Sequence, residues 1–129
     1  MRLLLDTHAI LWYFFGDPRL SSRARDAILT TEEVYWSMVS IWEIGIKHSL
    51  GKPGFQLPAG WARFLPEQMS LQGFSHLPID SSHCEAVSKL PWHHRDPFDR
   101  LLIATAKTEN LTIVSCDTSF QKYPIDQIW

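Results

Sequence analysis

Two kinds of apolar run alternate along the chain. Leu3-Leu4-Leu5, Val34-Tyr35-Trp36 and Leu111-Thr112-Ile113-Val114-Ser115 are short and rich in strand-forming residues. The first and last meet an acid, Asp6 and then Cys116-Asp117, as they end. Between them apolar residues recur at helical spacing. Ala9–Phe15 forms one such run, stopped by Gly16-Asp17-Pro18. Ser21-Ser22 opens another, through Ala24, Ala27, Ile28 and Leu29. A third starts at Ser37 or Ser40 and carries Val39, Trp42, Ile46 and Leu50 on one face, closed by Gly51. Pro53–Gly60 reads as a loop. Trp61–Leu71 has helical spacing interrupted at Pro66, Phe74–Ile79 is weakly strand-like, and Asp80 or Ser81 caps a short helix to Leu90. Ile125–Trp129 completes the chain as a short final strand.

The most organised stretch is Asp96-Pro97-Phe98-Asp99-Arg100-Leu101-Leu102-Ile103-Ala104-Thr105-Ala106. Proline suits the first position of a helix because its φ is preset and it has no N–H to leave unpaired, so Asp96 reads as the N-cap. Asp99 then falls in the first turn, at the positive end of the helix dipole. The apolar residues that follow point in every direction, which predicts a central helix buried on nearly all sides, stopped at Asn110.

Strands alternating with helices predict an α/β fold: one domain over residues 1–129, with a mostly parallel sheet covered on both faces. In such sheets chemistry gathers beyond the carboxyl ends of the strands, where Asp6 and Asp117 fall. The 45% hydrophobic and 20% charged fractions are those of an ordinary soluble protein. No signal peptide precedes the first strand and the apolar run Ala9–Phe15 is too short to span a bilayer, so a cytoplasmic protein without a membrane partner is expected. Cys84 and Cys116 form no disulfide framework or metal spacing, and Cys116 reads as a buried small hydrophobe. The net charge of −2 argues weakly against a polyanionic partner. Setting aside four clustered acids leaves ten against twelve Lys and Arg, and that objection disappears.

Those four acids are Asp6, Glu43, Asp99 and Asp117. Each has a structural explanation. Asp6 and Asp117 suit caps of the helix or turn after them, and Ser40-Ile41-Trp42-Glu43 fits a capping box. Glu43 and Lys47 are a well-oriented i, i+4 pair, and Asp99 suits a first turn. Together they point further. Four carboxylates at one end of a sheet repel, and a divalent cation relieves that repulsion. Oxygen-only donors suit Mg²⁺ or Mn²⁺, which serve phosphoryl chemistry.

Four blocks carry a family resemblance: Leu3-Leu4-Leu5-Asp6-Thr7-His8-Ala9; Ser40-Ile41-Trp42-Glu43-Ile44 with Lys47 and Gly51-Lys52; His94-Arg95-Asp96-Pro97-Phe98-Asp99-Arg100-Leu101-Leu102-Ile103-Ala104; and Ser115-Cys116-Asp117-Thr118-Ser119-Phe120. In order and spacing they resemble PIN-domain nucleases of the VapC type over essentially the whole chain. The resemblance implies a three-layer α/β/α fold and a metal-dependent endoribonuclease, the toxin of a toxin–antitoxin pair. It implies convergence of Asp6, Glu43, Asp99 and Asp117 as the catalytic and Mg²⁺- or Mn²⁺-binding set, with Asp96 and Ser115 behind them. RNA and a cognate antitoxin are the partners so implied, and a homodimer is expected. Arg95, Arg100 and Lys47 are the candidate RNA contacts, with Trp92 as a stacking surface. His8 reads as a structural histidine, Trp36 and Trp42 as core, and Trp12 or Trp61 as partner-facing. Two rival readings are a receiver- or phosphatase-like domain phosphorylated on Asp6, and a non-catalytic module whose acidic cleft receives a basic side chain.

Overall fold

The computed structural model describes residues 1–129. Five parallel strands form one sheet: β1 (Arg2–Leu5), β2 (Glu33–Trp36), β3 (Ser75–His76), β4 (Thr112–Val114) and β5 (Gln127–Ile128), in the order β3-β2-β1-β4-β5. Six helices connect them: α1 (Thr7–Phe14), α2 (Ser22–Thr30), α3 (Met38–Ser49), α4 (Trp61–Leu71), α5 (Ser81–Lys89) and α6 (Pro97–Glu109). A 3₁₀ turn over Thr118–Lys122 follows β4. No helix is long and apolar enough to cross a membrane.

Strand alternation sorts the side chains into two cores, making the fold a three-layer α/β/α sandwich. Leu3 and Leu5 face α1, α2 and α4, packing with Ile10, Ile28, Leu65 and Met69. Leu4 and Ile113 face the other side, against Leu102, Ile103 and Ala106 of α6. α3 stands between the two, giving Ile44 to the first core and Val39 to the second. The strand order reverses between β1 and β4, and in parallel sheets such a reversal opens a crevice at the carboxyl ends of the two strands.

Local chemistry sets the helix ends. Asn110, at φ 57°, closes α6 in the left-handed region that asparagine tolerates, and Gly51, at φ 64°, follows the end of α3. Asp80 caps α5 in a capping box closed by His83, whose buried ring accepts the Asp80 N–H and meets Glu109 across on α6.

Several expectations need correction. α4 runs through Pro66 without interruption; the carbonyl Pro66 leaves unpaired, that of Ala62, is on an exposed residue where water can serve it. The third helix is capped by Ser37, so the Ser40–Glu43 box does not form and Ser40 is buried inside the helix. The buried face of α3 also differs from the expected one. Its buried residues are Val39, Ser40, Glu43 and Ile44, while Trp42 and Leu50, expected on the apolar face, are exposed. Trp36 is in the core as expected; Trp42 instead meets Phe98 edge-on at 5.1 Å from a solvent-facing position. Cys116 is exposed rather than buried, because it lies beyond the last residue of β4.

Candidate functional site

Asp6 leaves β1 and caps α1, its Oδ1 accepting the Ala9 N–H at 2.8 Å. Asp117, just beyond β4, caps the 3₁₀ turn, accepting from the Ser119 N–H at 2.9 Å and the Ser119 hydroxyl at 2.7 Å. Asp96 caps α6 by accepting the Asp99 N–H at 3.0 Å. The structural explanation for these acids therefore holds, but it does not exhaust them. A carboxylate has two oxygens and about four acceptor sites, so a cap leaves capacity over.

The remaining capacity meets in one place. Asp6, Glu43, Asp96, Asp99 and Asp117 line a single cleft of about 90 Å³, with Thr7, His8, Lys47 and Cys116. It lies at the strand-order reversal between β1 and β4. The carboxylates share the cleft without closing into a cage, since no three carboxylate, imidazole or thiolate groups are drawn to metal-holding distance. Asp6, Asp96 and Asp117 are engaged in caps, Glu43 with Lys47, and Asp99 with the His94 ring. The largest concavity, about 540 Å³ between Trp12, Arg19 and the loop through Leu57, is elsewhere; its one acid, Asp17, is paired with Arg19 at 2.8 Å.

Electrostatics mark the cleft as overcharged. Burial lifts the Asp6 carboxyl to about 7, against the opposing pull of the Ser115 hydroxyl and the Ala9 N–H. Burial, then the field of Asp96, Asp117, Glu43 and Asp6, lifts Asp99 to about 8. The first-turn position of Asp99 is favourable, and its neighbours outweigh that advantage. Desolvation lowers His8, whose ring packs 5.1 Å from Trp12 and 5.5 Å from Phe55. Cys116 is raised by desolvation and by Asp6, which keeps it a thiol.

Glu43, only 4% exposed, accepts from the Thr7 hydroxyl and pairs with Lys47. Burial opposes the Lys47 charge, but the bond to Glu43 and the surrounding acids outweigh it and raise Lys47. Lys47 is thus a fixed counter-charge at the edge of the cleft. Ser115 is buried, its hydroxyl accepting the Asp117 N–H at 3.0 Å. Arg95 is exposed beside Asp96 and outside the cleft lining.

Arg100 corrects its expected role as an RNA contact. It is 2% exposed and has no carboxylate partner. Its guanidinium donates to the carbonyls of Pro91, Val87 and Leu90 and to the Tyr123 hydroxyl, beneath Trp92, whose ring centroid is 3.8 Å away. That cation holds the 91–95 loop against α5 and is out of reach of a substrate. Sequence reasoning overlooked Thr7, Tyr123 and the contact of His94 with Asp99. No local spacing rule connects Tyr123 to residues 94 and 100, so only the fold reveals the link.

The carboxylates of the cleft fit a hard divalent cation: they offer oxygen donors and an excess of negative charge, with room for a few water-sized groups. The model for the PIN domain matches residues 3–126. Among solved structures the chain is similar to VapBC from Salmonella typhimurium bound to DNA, at TM-score 0.71 and 15% identity over 99% of this chain and 97% of that one. It is also similar to VapBC2 from Rickettsia felis bound to a promoter DNA fragment, at 0.70 and 15% over 99% and 98%. A toxin–antitoxin complex from Klebsiella pneumoniae gives 0.66 and 19% over 98% and 96%. Comparison with curated protein sequences gives no match. With the strand order, the layers and the cleft in agreement with a family match over nearly its whole length, the chain belongs to the PIN-domain family.

Proposed function

We propose that this protein is a metal-dependent endoribonuclease of the VapC type, the toxin of a toxin–antitoxin pair, which hydrolyses RNA phosphodiester bonds. One observation carries the reading. Carboxylates from four separate segments line a cleft too poor in positive charge to stabilise them, and two are pushed far above the carboxylate range. PIN domains are generally nucleases, and the structural relatives include a toxin–antitoxin complex.

Asp6, Asp99 and Asp117 would hold Mg²⁺ or Mn²⁺, with Glu43 a ligand directly or through water. The ion would supply the charge that neutralises the cleft, acidifies water and stabilises the phosphorane. The chain contributes rigidity around it. Three caps fix the backbone at Asp6, Asp96 and Asp117, Thr7 and Lys47 fix Glu43, and the N-terminus of α6 faces the developing negative charge. In the reaction water adds to phosphorus, the bond to the leaving sugar oxygen breaks, and the proton ends on that oxygen. Arg95, exposed next to Asp96 in sequence, would meet a flanking phosphate, and the exposed Trp92 would stack on a base.

The test is cleavage of single-stranded RNA with Mg²⁺ or Mn²⁺ against chelator, in wild type, Asp6→Asn and Asp99→Asn. Ion-dependent cleavage lost in both variants, with circular dichroism unchanged, is the expected result. Cleavage surviving either substitution overturns it. One observation favours the binding-module reading: a basic side chain, Lys47, already sits on an acid of the cleft. A cognate antitoxin presenting Arg or Lys would use that affinity, as an inhibitor of the nuclease rather than an alternative to it.

A further inference from the structure

A chain of hydrogen bonds runs from the buried Arg100 to Asp99 by a route outside the helix that carries both. The Arg100 guanidinium can only donate, and one of its N–H groups reaches the Tyr123 hydroxyl at 3.2 Å. Tyr123, 4% exposed, lies 2.8 Å from His94 Nδ1. His94 Nε2 lies 3.3 Å from Asp99 Oδ2. Only one arrangement gives every group toward an ionised Asp99 a partner. Arg100 donates to the tyrosine oxygen, the tyrosine O–H donates to Nδ1, and Nε2–H donates to the carboxylate. The ring nitrogen that bears the proton is thus assigned by the network.

The same contacts fix the ring in space. It packs 5.4 Å from Tyr123 and 6.4 Å from Phe120. Tyr123 ends the 3₁₀ turn that Asp117 caps, so one hydroxyl joins the Asp117 segment to the Asp99 segment.

We propose that His94 is a positioning residue: Tyr123 and Arg100 aim its Nε2–H at Asp99 Oδ2, holding that carboxylate so that its other oxygen serves a divalent cation in the cleft. This rests on the cation-site reading above. Partners of this kind set the orientation and basicity of a metal ligand, and removing them costs about 10–100-fold in metal affinity.

The experiment measures Mn²⁺ binding by titration calorimetry and by the spin-resonance signal of free ion, without RNA, and then Mn²⁺-dependent RNA cleavage. The proteins are wild type, Asp99→Asn, His94→Ala, His94→Gln, Tyr123→Phe and the double variant that combines His94→Ala with Tyr123→Phe. His94→Ala and Tyr123→Phe should each weaken Mn²⁺ binding about 10-fold or more, with KM for RNA little changed. The double variant should be no weaker than His94→Ala, because the two act through one contact. Glutamine, whose amide N–H₂ can stand near Nε2, should restore most of the affinity. Should His94→Ala fail to fold, Tyr123→Phe and His94→Gln decide the matter, since both keep a packed side chain. Wild-type affinity in His94→Ala or in Tyr123→Phe overturns the proposal while Asp99→Asn still loses the ion. Wild type that binds no Mn²⁺ overturns both this proposal and the reading beneath it.

Discussion

Asp99→Asn tests directly how the cleft holds its charge. Without metal, burial and neighbouring acids place the Asp99 carboxyl at about 8; an unfolded aspartate titrates near 3.9. A carboxyl with the higher value in the folded state binds its proton more tightly there. Its contribution is fully present below about pH 4 and is lost as the pH rises through 4 towards 8. At about 1.4 kcal/mol per unit, the loss between about pH 5.5 and pH 8 is at most about 3 kcal/mol. Asparagine has nearly the same shape and no charge to gain. For a chain of this length 1 kcal/mol moves the melting temperature by about 4 °C. Melting in EDTA should therefore show the advantage of Asp99→Asn over wild type growing by about 10 °C from pH 5.5 to pH 8. Asp6, raised to about 7, also titrates; without the Asp99 charge it ionises more readily in the variant, which widens the difference in the same direction. Added Mg²⁺ should raise wild type at pH 8 and leave the variant nearly unchanged. Parallel melting trends in the two proteins would refute the claim that unneutralised carboxylates are confined together.

Further outcomes rest on other contacts. Arg100→Met leaves the Pro91 and Leu90 carbonyls and the Tyr123 oxygen short of a donor, while Val87 keeps the Leu90 N–H, and should cost about 3 kcal/mol, read as a lower urea midpoint at unchanged slope. Lys47→Met strips Glu43 of its counter-charge; the metal-free protein should melt lower, and Mg²⁺ should recover more of the loss than in wild type. Asn110→Ala puts a Cβ without a local hydrogen-bonding group at φ 57° and should cost about 1 kcal/mol, whereas Asn110→Gly should be close to neutral.

The strands and α6 were legible because their signals are local. Leu3-Leu4-Leu5-Asp6 states both a buried strand and its end, and Asp96-Pro97 states a helix start that the structure reproduces residue for residue. α3 was harder because Ser37 and Ser40 are both good caps one turn apart. The choice between them sets only where the helix begins; packing against both cores decides the rest, burying Glu43 and leaving Trp42 outside. Arg100 misled for a related reason. An arginine beside an acidic cluster suggests phosphate, and nothing nearby in sequence reveals that the carbonyls at the end of α5 take it as a donor. That Asp6, Glu43, Asp99 and Asp117 face a common space was implied by family resemblance rather than by spacing, which relates residues along one element and is silent across four.

The pairing of β1 with β4 also bears on when the acidic cleft can first assemble. Residues 6 and 117 stand shoulder to shoulder in the finished molecule yet are separated by most of the message that encodes it. The cleft therefore cannot close until nearly the whole chain is available and β4 has slotted in beside β1. A chain cut anywhere before residue 116 would fold, if at all, with one wall of the acidic cleft missing.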